Sequence, residues 1–382
     1  MPPKLVPCIT SPDDPLLDRL CARLAEMAPS LEVPGAWPGE QLRLCGEAGV
    51  HEWFVGKEHG GQGWSEADVL RGYVKLAAAC LTTTFVLTQR TGALTRIVAG
   101  DSDLARERLL FDLVDGRTFA TVGISHLTTS RQHVAPVMRA EQRGEGFVLD
   151  GYSPWVTGAE FAQTIVLGAT LADGRQILVA LPTDLPGVRI PPAPDLVGLS
   201  ASRTGPMECE QVEVDERWVL AGPVHEVIKQ GLGAKTGGLQ TSALAIGLSS
   251  AAIDFVHKEA QKRSDLAEPV SALAAERGGL LTAMLELASA AGTPQRAFPT
   301  ALEGALPTAH ASCVTNGNEL RQRANSLALR ASQAALAAAK GAGYVAGHPA
   351  GRWCREALFF LVWSCPQPVL AANLCELAGL AD

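Results

Sequence analysis

From residue 13 to about 114, apolar side chains return every three or four positions, the period that aligns one face of a helix. Asp13-Asp14-Pro15 ahead of Leu16, Leu17 and Leu20 has the composition of a helix start, with an acceptor side chain for free N–H groups and a first-turn proline. Ser65-Glu66-Ala67-Asp68 has the form of a capping box and leads into an alanine-rich run over 69–98. Between them, Gly56-Lys57-Glu58-His59-Gly60-Gly61-Gln62-Gly63 specifies a loop. Near Thr118 the period changes. Short apolar runs separated by turns follow at 119–124, 147–149, 164–167, 177–181 and 207–214, and they predict strands. In the last run Met207 and Cys209 alternate with Glu208 and Glu210, then Val212 and Val214 with Glu213. The inward face slips by one residue, so a β-bulge is predicted near Gln211. Beyond Leu232 helical stripes return as Leu244, Leu248, Ala251 and Phe255, then Leu280, Met284 and Leu287, then Leu320, Ala324, Leu327 and Ala331. A proline-rich stretch over 294–307 separates the second from the third, and His348-Pro349 opens the last helix. The expected layout is α, β, α, with domains at 1–116, 117–220 and 221–382.

Composition narrows what such a chain does. At 382 residues two or three packed units are expected, and 19% charged residues, below the usual quarter, points to much buried surface, some of it between subunits. The net charge of -8 and the absence of a Lys/Arg block argue against nucleic acid. Nine cysteines, odd in number and without CxxC spacing, fit a reducing compartment. The first ten residues lack a charged stretch followed by a long apolar run, and no stretch of about 18 uninterrupted apolar residues appears, so a cytoplasmic protein off the membrane is expected.

Three local signals lead elsewhere and fall short. Gly231-Leu232-Gly233-Ala234-Lys235-Thr236-Gly237-Gly238 has neither GxxxxGK[ST] nor GxGxxG spacing, so it reads as a loop ahead of a helix. Ser125 in Gly123-Ile124-Ser125-His126-Leu127 lacks the second glycine of a nucleophile elbow. His126 and His133 lack the accompanying Cys or carboxylate ligands of a metal centre, and no metal is expected.

Three segments together resemble the acyl-CoA dehydrogenase family. The first is 119–130, where that family has a strand, a Thr-Glu-Pro loop and Gly-Ser-Asp; here the residues are Ser125-His126-Leu127 and Thr128-Thr129-Ser130. The second is Gly144-Glu145-Gly146-Phe147-Val148-Leu149-Asp150-Gly151-Tyr152-Ser153-Pro154-Trp155-Val156-Thr157, which is similar to G-x-x-(hydrophobic)-x-(N/D)-G-x-K-x-W-I-T with Ser153 in place of the Lys. The third is Gly341-Ala342-Gly343-Tyr344 followed by His348-Pro349-Ala350-Gly351-Arg352-Trp353-Cys354-Arg355-Glu356-Ala357, similar to G-G-x-G-Y and E-R-x-x-R-D-A, with Lys340 at the first Gly and Ala337 at a Gln.

The resemblance implies an α+β fold: an N-terminal helical domain, a middle β-barrel or sandwich domain, and a C-terminal four-helix bundle, assembled around FAD as a homodimer or homotetramer. It assigns Ile124, Ser125, Trp155 and Thr157 to the flavin ring and Ser130 to the pyrophosphate. Arg263 and Gly341 fall where the family reaches the FAD of a neighbouring subunit; the Phe-Gly that usually follows the Arg is Leu266-Ala267. These assignments suit flavin chemistry, since an isoalloxazine needs a flat apolar wall and hydroxyl or amide donors at its polar edge.

Desaturation beside a thioester carbonyl also needs a base. Counted from Arg355-Glu356-Ala357, the family's Glu falls at Ser364, in Trp363-Ser364-Cys365-Pro366, and the alternative position used by some relatives is Gln240. A positioned general base contributes about 10²–10⁴ in rate, and neither side chain accepts a proton usefully near neutral pH. His126, at the family's acidic position, has a suitable intrinsic pKa and is a candidate replacement. Three readings stay open: a flavin oxidoreductase on a small molecule such as an acyl thioester, a flavin monooxygenase of the same fold, and a non-catalytic binding or assembly protein.

Overall fold

The computed structural model describes residues 8–128, 135–230, 238–291, 314 and 316–380. The predicted starts are helix caps. The Asp14 carboxylate accepts from the Leu16 N–H at 2.9 Å ahead of α1 (Pro15–Met27), and Ser65 Oγ accepts from the Asp68 N–H at 3.2 Å ahead of α3 (Glu66–Ala79), with α2 (Gly39–Glu47) between. The alanine-rich run is two helices rather than one. Cys80 (φ −155°, ψ 102°) leaves helical geometry, and α4 (Leu81–Ala99) sets off in a new direction. α5 (Asp103–Asp115) completes the first helical portion, capped by Gly116 in the left-handed conformation.

The sheet follows: β1 (Ala120–Gly123), a single helical turn α6 (Ser125–Thr128), β2 (Met138–Arg143), β3 (Gly146–Thr157), β4 (Thr164–Thr170), β5 (Gln176–Pro182), β6 (Val188–Arg189), β7 (Thr204–Asp215) and β8 (Val219–Val224). Seven strands run in the order β6-β7-β3-β2-β4-β5-β8, and β1 lies parallel beside β4. The predicted bulge is present. Leu149 pairs with Val212 and Gly151 with Cys209, so Glu210 and Gln211 face Asp150 alone, and Gln211 sits at φ 51°. Gly151 of the sequence motif is a steric requirement: at φ 124°, a Cβ there would lie 1.9 Å from the Val137 carbonyl oxygen. β4 and β5 are buried on both faces, which explains their continuous apolar runs. Ile165, Leu167, Val179 and Leu181 belong to the core on one side; Val166, Leu178 and Ala180 face α4 and α5 on the other.

The C-terminal helices are α7 (Leu239–Ala260), α8 (Ala267–Ala291), α9 (Gly317–Gly343), α10 (Pro349–Leu358) and α11 (Gln367–Leu377). His348 caps α10, Nδ1 accepting from the Ala350 N–H at 3.2 Å, but α11 follows, so this helix is not the last. α7 is long and apolar enough to cross a membrane by length and composition, yet its buried face packs against α3 and α9. Leu76 and Ala77 of α3 share one core with Leu244, Ile253, Leu327 and Ala331, so the first and last helical portions bury their stripes against each other. The proline-rich stretch 294–307 and the glycine-rich run 231–237 lie outside the described residues.

α4 ties these layers together. Leu81 to Leu87 at its start enter the helical core, while Ala93, Leu94 and Ile97 at its end enter the core beneath the sheet. The face between them borders the space where sheet and bundle meet.

Candidate functional site

That space is a cavity of about 550 Å³. α4 supplies one wall through Phe85, Thr88, Gln89, Gly92 and Arg96, positions that recur at helical spacing. The sheet side supplies Ile124, Ser125, Thr128, Trp155 and Thr157, and the segment ahead of β7 adds Leu199, Ser202 and Thr204. The bundle side closes it with Gln240, Thr241, Phe359, Trp363 and Ser364. Trp155 is half exposed (48%), so its ring is a wall of the cleft and not a core aromatic. Phe85, Phe359 and Trp363 form one aromatic group: Phe85 meets both edge-on, at 4.7 and 5.0 Å between centroids, and Phe359 stacks on Trp363 at 5.0 Å.

The polar groups are mostly hydroxyls. Ser125 Oγ is buried, borders the cavity and has no hydrogen-bond partner among the described residues. Thr157, Thr204 and Ser202 are buried and joined in series, Oγ1 to Oγ1 at 2.9 Å and Oγ1 to Oγ at 2.8 Å. Among the described residues, no Asp, Glu or His lines the cleft. The two ionisable side chains of the described lining are arginines. Arg355 pairs with Glu32 at the rim, and Arg96 donates through Nη1 to the Gly92 carbonyl at 2.7 Å, one turn back on its own helix. Burial lowers the Arg96 pKa to about 10, which leaves it charged near neutrality. Ser364 and Gln240, the two positions where a carboxylate was sought, both face the cavity and both are neutral.

His126 is placed elsewhere. Its ring is buried beneath the sheet, with Nε2 2.9 Å from the Gly168 carbonyl and Nδ1 3.2 Å from Ser153 Oγ. A carbonyl only accepts, so Nε2 carries the proton and Nδ1 accepts from the Ser153 hydroxyl. Burial pushes its pKa down, keeping the ring neutral. Both nitrogens are engaged away from the cleft, which corrects the expectation of a relocated base at this residue. His126 and Ser153 thus form one neutral hydrogen-bonded pair.

Arg263 and Gly341 lie outside the cavity. Arg263 donates through Nη1 to the Ala338 carbonyl at 2.9 Å and pairs with Asp265 at 3.0 Å. Gly341 follows a kink in α9 at Lys340, whose φ of 54° and ψ of −147° belong to a region that favours glycine, as in the family pattern. Ser130 falls outside the described residues. Sequence reasoning missed the α4 wall and the Leu199–Ser202–Thr204 side. On α4 a cleft-facing stripe has the same period as a core-facing one, so spacing alone does not separate them.

Fold and cleft together resemble those of proteins with the acyl-CoA dehydrogenase fold. The chain is 26% identical over 272 residues to a probable acyl-CoA dehydrogenase, YngJ, of Bacillus subtilis (strain 168), covering 69% of this chain and 71% of the relative. It is 24% identical over 362 residues to the mitochondrial short-chain specific acyl-CoA dehydrogenase of Mus musculus, covering 90% and 84%. Among solved structures, a glutaryl-CoA dehydrogenase from Mycobacterium smegmatis in complex with FADH2 superposes with a TM-score of 0.72 at 15% identity, over 97% and 96% of the two chains. The dibenzothiophene monooxygenase TdsC from Paenibacillus sp. A11-2 gives 0.74 at 15% identity, over 96% of each. No family model matches. The chain is acyl-CoA dehydrogenase-like in sequence and in fold.

Proposed function

We propose that this protein holds FAD in the cleft and carries out oxidoreduction there without a carboxylate base, as a monooxygenase-type enzyme on an apolar small molecule. The cofactor fits what the chain offers. Trp155 is a flat, half-exposed wall, the buried Ser125 hydroxyl has no partner among the described residues, and Thr157 adds a second hydroxyl from the end of the strand that carries Trp155. Ile124 completes the apolar side. Bound FAD would supply two-electron chemistry and, once reduced, reactivity toward oxygen.

The observation that carries the reading is the absence of Asp, Glu and His from the described lining. Proton abstraction from a thioester needs such a group, and the lost 10²–10⁴ corresponds to roughly 3–5 kcal/mol of barrier. Ser364 and Gln240 hold no proton-accepting charge. What remains suits binding and shielding: Phe85, Phe359 and Trp363 present an apolar face that excludes water, and Arg96 retains one buried positive charge. A solved monooxygenase shares the fold over nearly the whole chain.

The test begins with FAD. Titration is expected to give a yellow protein saturating at about one flavin per chain, and Trp155→Ala is expected to weaken binding at least tenfold. Photoreduction and then oxygen should oxidise an apolar aromatic substrate from a panel. A protein that refuses FAD under all conditions overturns the reading.

A further inference from the structure

We propose that Arg96 is the anion-recognising residue of the cleft and that the substrate is a flat apolar body ending in a carboxylate, an inference that rests on the FAD-dependent reading above and names its substrate class. Arg96 borders the cavity from the last turn of α4 and is 3% exposed, so its guanidinium meets an occupant of the cleft and not bulk water. Its place is prepared. A Cβ on Gly92 would lie 3.3 Å from Arg96 Nη1 and 3.4 Å from the Val122 side chain, so the glycine leaves the room in which the guanidinium folds back one turn. There Nη1 donates to the Gly92 carbonyl at 2.7 Å. That bond uses one of the five N–H donors of a guanidinium and, the carbonyl being neutral, leaves the charge in place. Burial lowers its pKa only to about 10, so the group stays a cation near neutrality.

The cleft presents this charge to whatever enters it. Among the described lining residues none is Asp or Glu, and the second cation, Arg355, is paired with Glu32 at the rim. A fixed charge in a site shielded from water attracts an anion more strongly than the same charge on a surface, because the effective dielectric is lower. A carboxylate suits a guanidinium, whose planar fork offers two parallel N–H groups to two oxygens. The other end of the occupant follows from α4. Phe85 comes seven residues before Gly92, and at 1.5 Å per residue their levels are about 10 Å apart along the helix. Phe85 meets Phe359 and Trp363 at that end, and Thr88 and Gln89 line the wall between. Aromatic faces at one end and a buried cation at the other match a two-ring acid, whereas a single-ring acid is too short to reach both. Phosphate oxygens of the cofactor offer the same chemistry, and the test separates the two sources.

The probes are biphenyl-4-carboxylate, its neutral amide biphenyl-4-carboxamide, and benzoate, each titrated calorimetrically into the FAD-loaded protein. The two-ring carboxylate is expected to bind about tenfold or more tightly than either of the others, the yield of one charge-assisted pair or of one buried ring. Arg96→Met should weaken the carboxylate by about the same factor and leave the amide within about twofold, while Arg96→Lys, which keeps the charge but not the fork, should recover part of the loss. FAD affinity should stay within about threefold throughout. Equal binding of carboxylate and amide by the unaltered protein, or no measurable binding of the carboxylate, overturns the proposal and leaves the cofactor reading intact. Benzoate binding as tightly as the two-ring acid overturns the two-ended occupant. An equal loss for carboxylate and amide in Arg96→Met marks a structural role and also overturns it. Weakened FAD binding with the carboxylate preference retained assigns the anion to the cofactor and overturns the substrate assignment. If Arg96→Met does not fold, Arg96→Lys decides: a reduced carboxylate preference with the amide unchanged supports the proposal, and an unchanged preference overturns it. If the unaltered protein refuses FAD, the reading above fails, and the same titrations without cofactor still decide whether Arg96 selects the carboxylate.

Discussion

Two buried titratable residues near the site give opposite dependence of stability on pH. His126 is neutral because burial lowers its pKa, so in the window just below its ordinary value of about 6.5 the unfolded chain binds more protons than the folded one. Stability should fall as pH drops through that window, and His126→Gln should flatten the slope in thermal unfolding measured from pH 7 down to 5. Glu356 behaves in reverse. It is 4% exposed, burial raises its pKa to about 7, and the Arg352 guanidinium 3.7 Å away only partly offsets this. The folded chain holds the extra proton, so stability is full below about 4.5 and declines as pH rises through about 7. Glu356→Gln should remove that decline and leave the variant more stable than the original at pH 8. Site residues were legible one at a time. Trp155, Thr157 and Ser125 stand in a recognisable pattern and do meet in one cleft, whereas the bond between His126 and Ser153 joins positions 27 apart and has no local signal.

Elements whose boundaries depend on local chemistry were readable from the residues. The caps at Asp14 and Ser65 and the bulge at Gln211 follow from side-chain acceptors and from a slip in alternation. The break at Cys80 was not read, because apolar residues continue across it and both sides enter the same helical core; the one local hint is the run Thr82-Thr83-Thr84 beyond it, whose β-branched side chains are weak helix formers. β2 escaped for a related reason: Met138 and Ala140 are its apolar positions and the rest is charged or polar, so the strand depends on pairing with β3. The turn that ends β3 yields a sharper test. Gly158 is at φ 65°, and a Cβ there would lie 2.5 Å from the Trp37 ring, which stacks on Phe161 at 4.3 Å. Gly144 has a similar φ of 58° with nothing within 4 Å. Gly144→Ala should therefore lose only about 1 kcal/mol from backbone strain, and Gly158→Ala about 2–4 kcal/mol in urea denaturation, because the ring must also move.

At the scale of the molecule, the helical stripes at both ends of the chain were predicted, but not that they share one core; sequence spacing says which face is buried and not against what. That arrangement matters for function, since α4 runs from this core to the sheet and carries the cleft wall along its length. A ligand bridging sheet and bundle should stabilise the whole assembly. FAD at 100 times its dissociation constant should add about 2.7 kcal/mol and raise the unfolding midpoint in proportion. The central claim is a flavin cleft without a base. Its most direct test is anaerobic mixing of the FAD-loaded protein with acyl-CoA thioesters of graded chain length, followed by visible absorbance. The account predicts that the flavin colour survives every thioester and is lost only on adding dithionite; rapid bleaching by any acyl-CoA would show a working base and contradict it.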